Sequence, residues 1–225
     1  MIPWCLIDTA PVPDAAGELR LMRRGAEFSI MLGQNELMNS RLSGSEQALA
    51  TIVCERLVDT TRPQLLIGGL GMGFTLRAAL AQLGSEASIV VAELIPAVVA
   101  WARGPMAGIF ADSLTDSRVS LREADVGLLI AAERLGFDAI LLDVDNGPEA
   151  LTREANNALY GAAGLRAAHT ALRPGGVLAV WSSGPNPGFA RRLADAGFAV
   201  EEIKVRANGA RGGARHVIWA ATRRR

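Results

Sequence analysis

The chain has 225 residues, half of them hydrophobic, with 23 basic and 23 acidic side chains that cancel. That is enough apolar material for one core with a small appendage, and the balance of charge excludes an electrostatic nucleic-acid binder. No apolar run reaches membrane-spanning length and no export signal opens the chain, so the expectation is a cytoplasmic protein with no membrane partner. Cys5 and Cys54 lie far apart without metal-ligand spacing and read as free thiols of a reducing compartment. The closing Arg223, Arg224 and Arg225 read as a solvated tail rather than a binding patch.

Residues 1–63 differ in texture from the rest. Trp4 to Asp8, Glu18 to Arg24 and Glu27 to Leu32 are short strand candidates, punctuated by Pro11, Pro13, Gly17, Gly25 and Gly33, which predicts a small N-terminal β-hairpin layer. Ser45 has the chemistry of an N-cap for a linking helix over 46–58, ended by 60–63. From 64 to 225 the expectation is one Rossmann-like nucleoside-binding domain. Strand 65–67 leads to helix 74–83, and strand 88–92 to helix 96–103 with Pro96 in its first turn. Strand 119–122 leads to helix 126–134, strand 138–143 to helix 152–172, and strand 176–182 to helix 187–196. An antiparallel pair, 198–205 and 216–221, closes the pattern, and 207–214 reads as a mobile loop. Continuous apolar strands alternating with helices make an α/β fold with a seven-stranded, mostly parallel sheet covered on both faces.

The chemistry gathers at the first turn of that sheet. Residues 65–73 read LLIGGLGMG, a buried strand broken by glycines and followed by a helix, which is how such sheets build a nucleotide site. Gly69, Gly71 and Gly73 give GxGxG, while Phe74 stands where the dinucleotide fingerprint needs glycine, and no Gly-Lys-Ser/Thr follows. The turn therefore suits a nucleoside without a pyrophosphate, and in this it resembles class I methyltransferases. Ligands in such sheets sit beyond the strand carboxyl ends. Glu93 ends the second strand and can accept from both ribose hydroxyls, or can serve as a helix N-terminal charge. Asp125 can accept from an adenine amino group while the Val126 N–H faces a ring nitrogen, or can cap the helix that starts there. Asp143 ends the fourth strand in the crevice and is the catalytic candidate, able to orient an amine and take its proton. Asp145 reads equally well as turn chemistry with Asn146, Gly147 and Pro148. His169 and His216 lack metal-ligand spacing, so no metal is expected. Ser182 and Ser183 are not in a nucleophile elbow, and Trp101 and Trp181 read as core.

Taken together, IGGLGMG, AELIPAVV, READV, DAILLDVDNGP, LRPGGVLAV and the upstream SIMLGQNELMNSRLSGSEQALA resemble the spermidine synthase family within the class I methyltransferase fold, over roughly residues 28–182. Arg41 and Gln47 fall on matching positions. The resemblance implies an S-adenosyl sulfonium donor, S-adenosylmethionine or its decarboxylated form, held by Gly69, Gly71, Gly73, Gln47, Glu93, Asp125 and Val126. It implies Asp143 as the residue that deprotonates an amine acceptor, and a homodimer, which the unpaired edges of the hairpin layer would favour. This chain departs from the family in four places. The acid inside the glycine turn is Met72, a donor-binding glutamine is Leu37, an acceptor-binding tyrosine is Glu46, and Asp143 and Asp145 stand two rather than three apart. Met72 and Leu37 remove partners for the amino group of the decarboxylated donor, so the sequence favours methyl transfer from S-adenosylmethionine to a small nucleophile. Aminopropyl transfer of the spermidine synthase type is the alternative, and a non-catalytic nucleoside-binding or oligomerisation module the second alternative.

Overall fold

A computed structural model of the chain describes residues 2–13, 17–144 and 158–224. The apolar run after Pro63 forms the strand β5 (Gln64–Gly68) at the middle of a seven-stranded sheet. Its parallel neighbours are β6 (Ser88–Glu93) and β8 (Phe137–Leu142), with β7 (Val119–Glu123) beyond β6 and β9 (Leu172–Ser182) beyond β8. The antiparallel β10 (Phe198–Arg206) and β11 (Arg215–Arg223) complete the order β10-β11-β9-β8-β5-β6-β7. Strand order reverses between β5 and β8, which opens a crevice at their carboxyl ends.

Side chains alternate across a strand, so successive residues of β5 enter different cores. Leu65 and Ile67 join Ile89, Val91, Ala139 and Leu141 on one face, beneath α1 (Gly44–Arg56), α2 (Phe74–Gln82) and α3 (Pro96–Arg103). Leu66 joins Ile140, Leu142, Leu178 and Val180 on the other, beneath α5 (Val126–Ala132), α6 (Ala162–Ala171) and α7 (Pro187–Asp195). Leu65, Leu66 and Ile67 are all buried, and burying each such side chain stabilises the fold by about 2 kcal/mol. The glycine turn thus hangs from a strand at the middle of the sheet that is buried on both faces.

The N-terminal residues form a four-stranded antiparallel sheet, β1 (Cys5–Pro11), β2 (Glu18–Arg24), β3 (Glu27–Leu32) and β4 (Asn35–Asn39). Leu19, Leu21, Phe28 and Ile30 join the first core cluster, and the indole N–H of Trp101 donates to Asp8 Oδ2 at 2.7 Å. The sequence reading missed β4, whose polar ends and single apolar pair carry no strand signal. It missed α4 (Ala107–Phe110), which has only four residues. Ser45 is not a cap: the helix starts at Gly44 after Ser43, and Ser45 is buried in its first turn. β9 begins at Leu172 rather than 176, because Leu172 already pairs with Phe137, and this ends the preceding helix at Ala171. Residues 152–157 of the expected helix, and the turn at Asp145 to Pro148, lie outside the described residues. Where a mobile loop was expected, Gly209–Arg211 forms a 3-10 turn and the Ala207 carbonyl accepts from Gly44 N–H at 2.9 Å. No helix among the described residues is long and apolar enough to cross a membrane.

Candidate active site

Two glycines explain the sharpness of the turn after β5. Gly69 has φ +90°, and a Cβ there would lie 2.6 Å from the backbone oxygen of Asp143. The turn therefore passes directly against the end of β8. Gly73, at φ +76°, precedes α2, and a Cβ there would meet the Phe110 ring at 2.4 Å. A larger residue at either place would be both strained and obstructed.

Glu93, at the tip of β6, ties this turn to the next one. Its Oε2 accepts from Leu70 N–H at 3.0 Å and its Oε1 from Ile95 N–H at 2.9 Å. Burial pushes its carboxyl above the usual range, opposed by the backbone N–H groups of Ile95, Leu70, Leu94 and Gly71. Asp125 does cap α5, accepting from Gly127 N–H at 2.7 Å. Gly69, Gly71, Glu93, Asp125, Val126 and Asp143 all line one hollow of about 110 Å³. Three turns at the tips of neighbouring strands thus converge on one space.

A second hollow, of about 170 Å³, adjoins the first and shares Asp143, Gly71, Leu37 and Met38 with it. Ser45, Glu46, Gly73, Thr75, Trp181 and His216 line it as well. Asp143 Oδ2 accepts from Thr75 Oγ1 at 3.1 Å. Burial, and then the nearby charge of Glu46, lift the Asp143 carboxyl to about 7. Burial also raises Glu46, while its hydrogen bond from Ser45 works in the opposite direction. Ser45 Oγ donates to Glu46 Oε2 at 2.8 Å, and His216 Nδ1 lies 3.0 Å from the same Ser45 oxygen. Burial lowers His216 below its ordinary value, which favours a neutral ring at pH 7. Among the described residues no Lys or Arg lines either hollow, while Glu46, Glu93, Asp125 and Asp143 do. No group of three or more described His, Cys, Asp or Glu side chains is arranged to hold a metal ion.

No protein-family model matches the sequence. Over 172 residues, 75% of the chain, it is 34% identical to the polyamine aminopropyltransferase of Mycobacterium tuberculosis strain H37Rv, and the same figures hold for that of Mycobacterium bovis. The chain spans 31% of the length of these relatives. Among solved structures, the spermidine synthase from Thermotoga maritima superimposes with a TM-score of 0.74 at 16% identity, over 96% of this chain and 72% of that one. The CurJ carbon methyltransferase superimposes with a TM-score of 0.52 at 13% identity, over 79% of this chain and 54% of that one. At these identities the solved structures establish the Rossmann-like methyltransferase fold, and in sequence the chain resembles the polyamine aminopropyltransferases over less than a third of their length. The chain is spermidine-synthase-like.

Within this spermidine-synthase-like frame the candidate residues divide. Gly69, Gly71, Glu93, Asp125, Val126 and Asp143 come together, and Gly73 lines the adjoining hollow instead. Gln47 lines neither: its exposed side chain donates to Ser43 Oγ at 2.9 Å. Arg41 lies in the turn after β4, paired with Glu36 at 2.8 Å, and lines neither hollow. Met72 is buried and packs in the core as well as lining the second hollow. Sequence reasoning missed Thr75, Ser45 and His216, and met Glu46 only as a departure. A signal existed for His216. An antiparallel β11 must begin at the sheet's carboxyl edge, and its next residue, Val217, pairs with Ser182 at the tip of β9.

Proposed function

We propose that this chain alkylates an amine with an S-adenosyl sulfonium donor, and that the transferred group is aminopropyl, taken from decarboxylated S-adenosylmethionine. Two adjoining hollows that meet at Asp143 carry the reading. The hollow with Glu93, Asp125 and the glycine turn suits the adenosine. The one with Glu46 and Thr75 suits the acceptor amine. The nitrogen lone pair attacks the carbon beside sulfur, the C–S bond breaks, and its electrons stay on sulfur as neutral methylthioadenosine. The protein's part is to align the two reactants and exclude water. Asp143, raised to about 7, is poised to hold the amine and take its proton at neutral pH.

Sequence alone favoured methyl transfer, because Met72 and Leu37 offer no partner to the donor's amino group. The charges around the hollows favour the alternative. Glu46 and Asp143 line the space next to those two positions and supply carboxylates that the substitutions took away. S-Adenosylmethionine would bring an extra carboxylate toward acids, with no described Lys or Arg lining the space to receive it. Likeness to polyamine aminopropyltransferases supports the same choice and makes a polyamine the first acceptor to try. A homodimer belongs to the proposal too, through the open edges of β1 and β4, and light scattering tests it.

Incubation with each donor and a series of diamines separates the two transfers. Aminopropyl transfer releases methylthioadenosine from the decarboxylated donor. Release of S-adenosylhomocysteine from S-adenosylmethionine alone would return the assignment to methyl transfer, and wild type that consumes neither donor would favour the binding module.

A further inference from the structure

An amine must lose a proton when it is alkylated, and the site as built would trap that proton. Asp143 lies where the two hollows meet, and Thr75, which donates to it, is itself buried. Glu46 lines the same hollow and has a different set of contacts. Its Oε2 receives Ser45 Oγ–H at 2.8 Å, and Ser45 Oγ lies 3.0 Å from His216 Nδ1. These residues are distant in sequence, Ser45 and His216 being 171 positions apart. His216 is half-buried at the start of β11, with its ring edge-on to Trp181 at 4.7 Å between centroids. Among the described residues, Glu46, Asp143 and His216 are the ionisable side chains that line this hollow.

We propose that Glu46 is a second catalytic carboxylate, the one through which the acceptor's proton leaves by way of Ser45 and His216. The proposal rests on the amine-alkylating reading above. Two carboxylates facing one space share their protons, so the pair takes up the ammonium proton as a unit. With Glu46 as the protonated member, its O–H passes to Ser45 Oγ while the Ser45 hydroxyl proton passes to Nδ1 of a neutral ring. The resulting imidazolium releases its Nε2 proton to solvent. Glu46 is again a carboxylate, Ser45 again an alcohol, and one proton has moved from the amine to the buffer. His216 then carries its proton on Nδ1 and donates to Ser45, and solvent exchange at the ring restores the other tautomer for the next turnover. Ser45 and His216 act through Glu46 and are positioning and relay residues.

The test uses the full chain, decarboxylated S-adenosylmethionine and the acceptor amine that wild type turns over. Glu46→Gln is expected to lower kcat by about a hundredfold and Ser45→Ala by a smaller factor, with methylthioadenosine binding unchanged as the check on folding. His216→Ala is expected to lose rate that imidazole in the buffer restores, an effect that loss of packing would not produce. By NMR, the ring of His216 is expected to titrate at lower pH in Glu46→Gln than in wild type, because a carboxylate has left the chain of hydrogen bonds. Wild-type turnover with Glu46→Gln and His216→Ala within twofold of it, or no rescue by imidazole, overturns the relay and leaves the transferase reading standing. Absence of wild-type turnover with every donor and amine removes the transferase reading, and the relay's role with it.

Discussion

Replacing Asp143 by asparagine separates charge from shape. The amide keeps the size of the side chain and an oxygen to accept from Thr75, but it has no proton to lose. In the folded chain, burial first and the charge of Glu46 second lift Asp143 from its ordinary 3.8 to about 7. Between these two values the folded chain holds a proton that the unfolded chain has released. Stability contributed by this group is therefore complete below the unfolded value and is lost as pH rises through the folded one. From pH 5 to pH 8 the change covers about two pKa units, or roughly 3 kcal/mol at 1.36 kcal/mol each. The amide side chain carries no such slope. Urea unfolding of both proteins at the two pH values should therefore show the Asp143→Asn variant gaining about 3 kcal/mol on wild type between pH 5 and pH 8. Parallel stability curves would refute the claim that Asp143 is buried against a second carboxylate. The same variant should lose activity by two orders of magnitude or more while gaining that stability, which sets a functional charge apart from a structural one.

The remaining predictions concern the residues around it. Gly69→Ala places a methyl group at φ +90° and 2.6 Å from the Asp143 carbonyl. It should destabilise the chain by about 2 kcal/mol or more and abolish methylthioadenosine binding by calorimetry. Glu93→Ala leaves the N–H groups of Leu70 and Ile95 without their acceptor. Binding of methylthioadenosine should weaken at least about tenfold, with a stability loss of about 1–3 kcal/mol. Met72→Asp restores the acid that the family carries in the glycine turn, but into a side-chain position packed in the core. Thermal melts should show it destabilised by several kcal/mol at neutral pH, with the loss smaller at acid pH, where the new carboxyl can stay protonated.

Legibility in the sequence tracked how local each requirement was. The glycine turn and the alternation of strands and helices could be read directly, because backbone freedom and burial leave their mark on neighbouring residues. Glu93, Asp125 and Asp143 could be found because a strand tip is defined by the strand before it. Asp125 shows why its two readings stayed open: it is a helix cap and also a wall of the first hollow. Ser45 and His216 were invisible as partners, since their contact joins α1 to β11 across 171 residues. Gln47 shows the opposite limit. Its position matched the family, but one helical step turns its side chain out to Ser43. The sequence preference for methyl transfer weighed Met72 and Leu37 alone, whereas the charge of a pocket is the sum of what several elements bring to it. Glu46, met first as a loss of a tyrosine, supplies part of that sum.

The central claim is that one adenosine fits where the tips of β5, β6 and β7 meet. A crystal structure of the chain with methylthioadenosine tests it most directly. The expected result is the ribose hydroxyls on Glu93, the adenine beside Asp125 and Val126, and the thioether pointing toward Asp143. Methylthioadenosine bound elsewhere, or seated in the hollow with its sulfur turned away from Asp143, would contradict it.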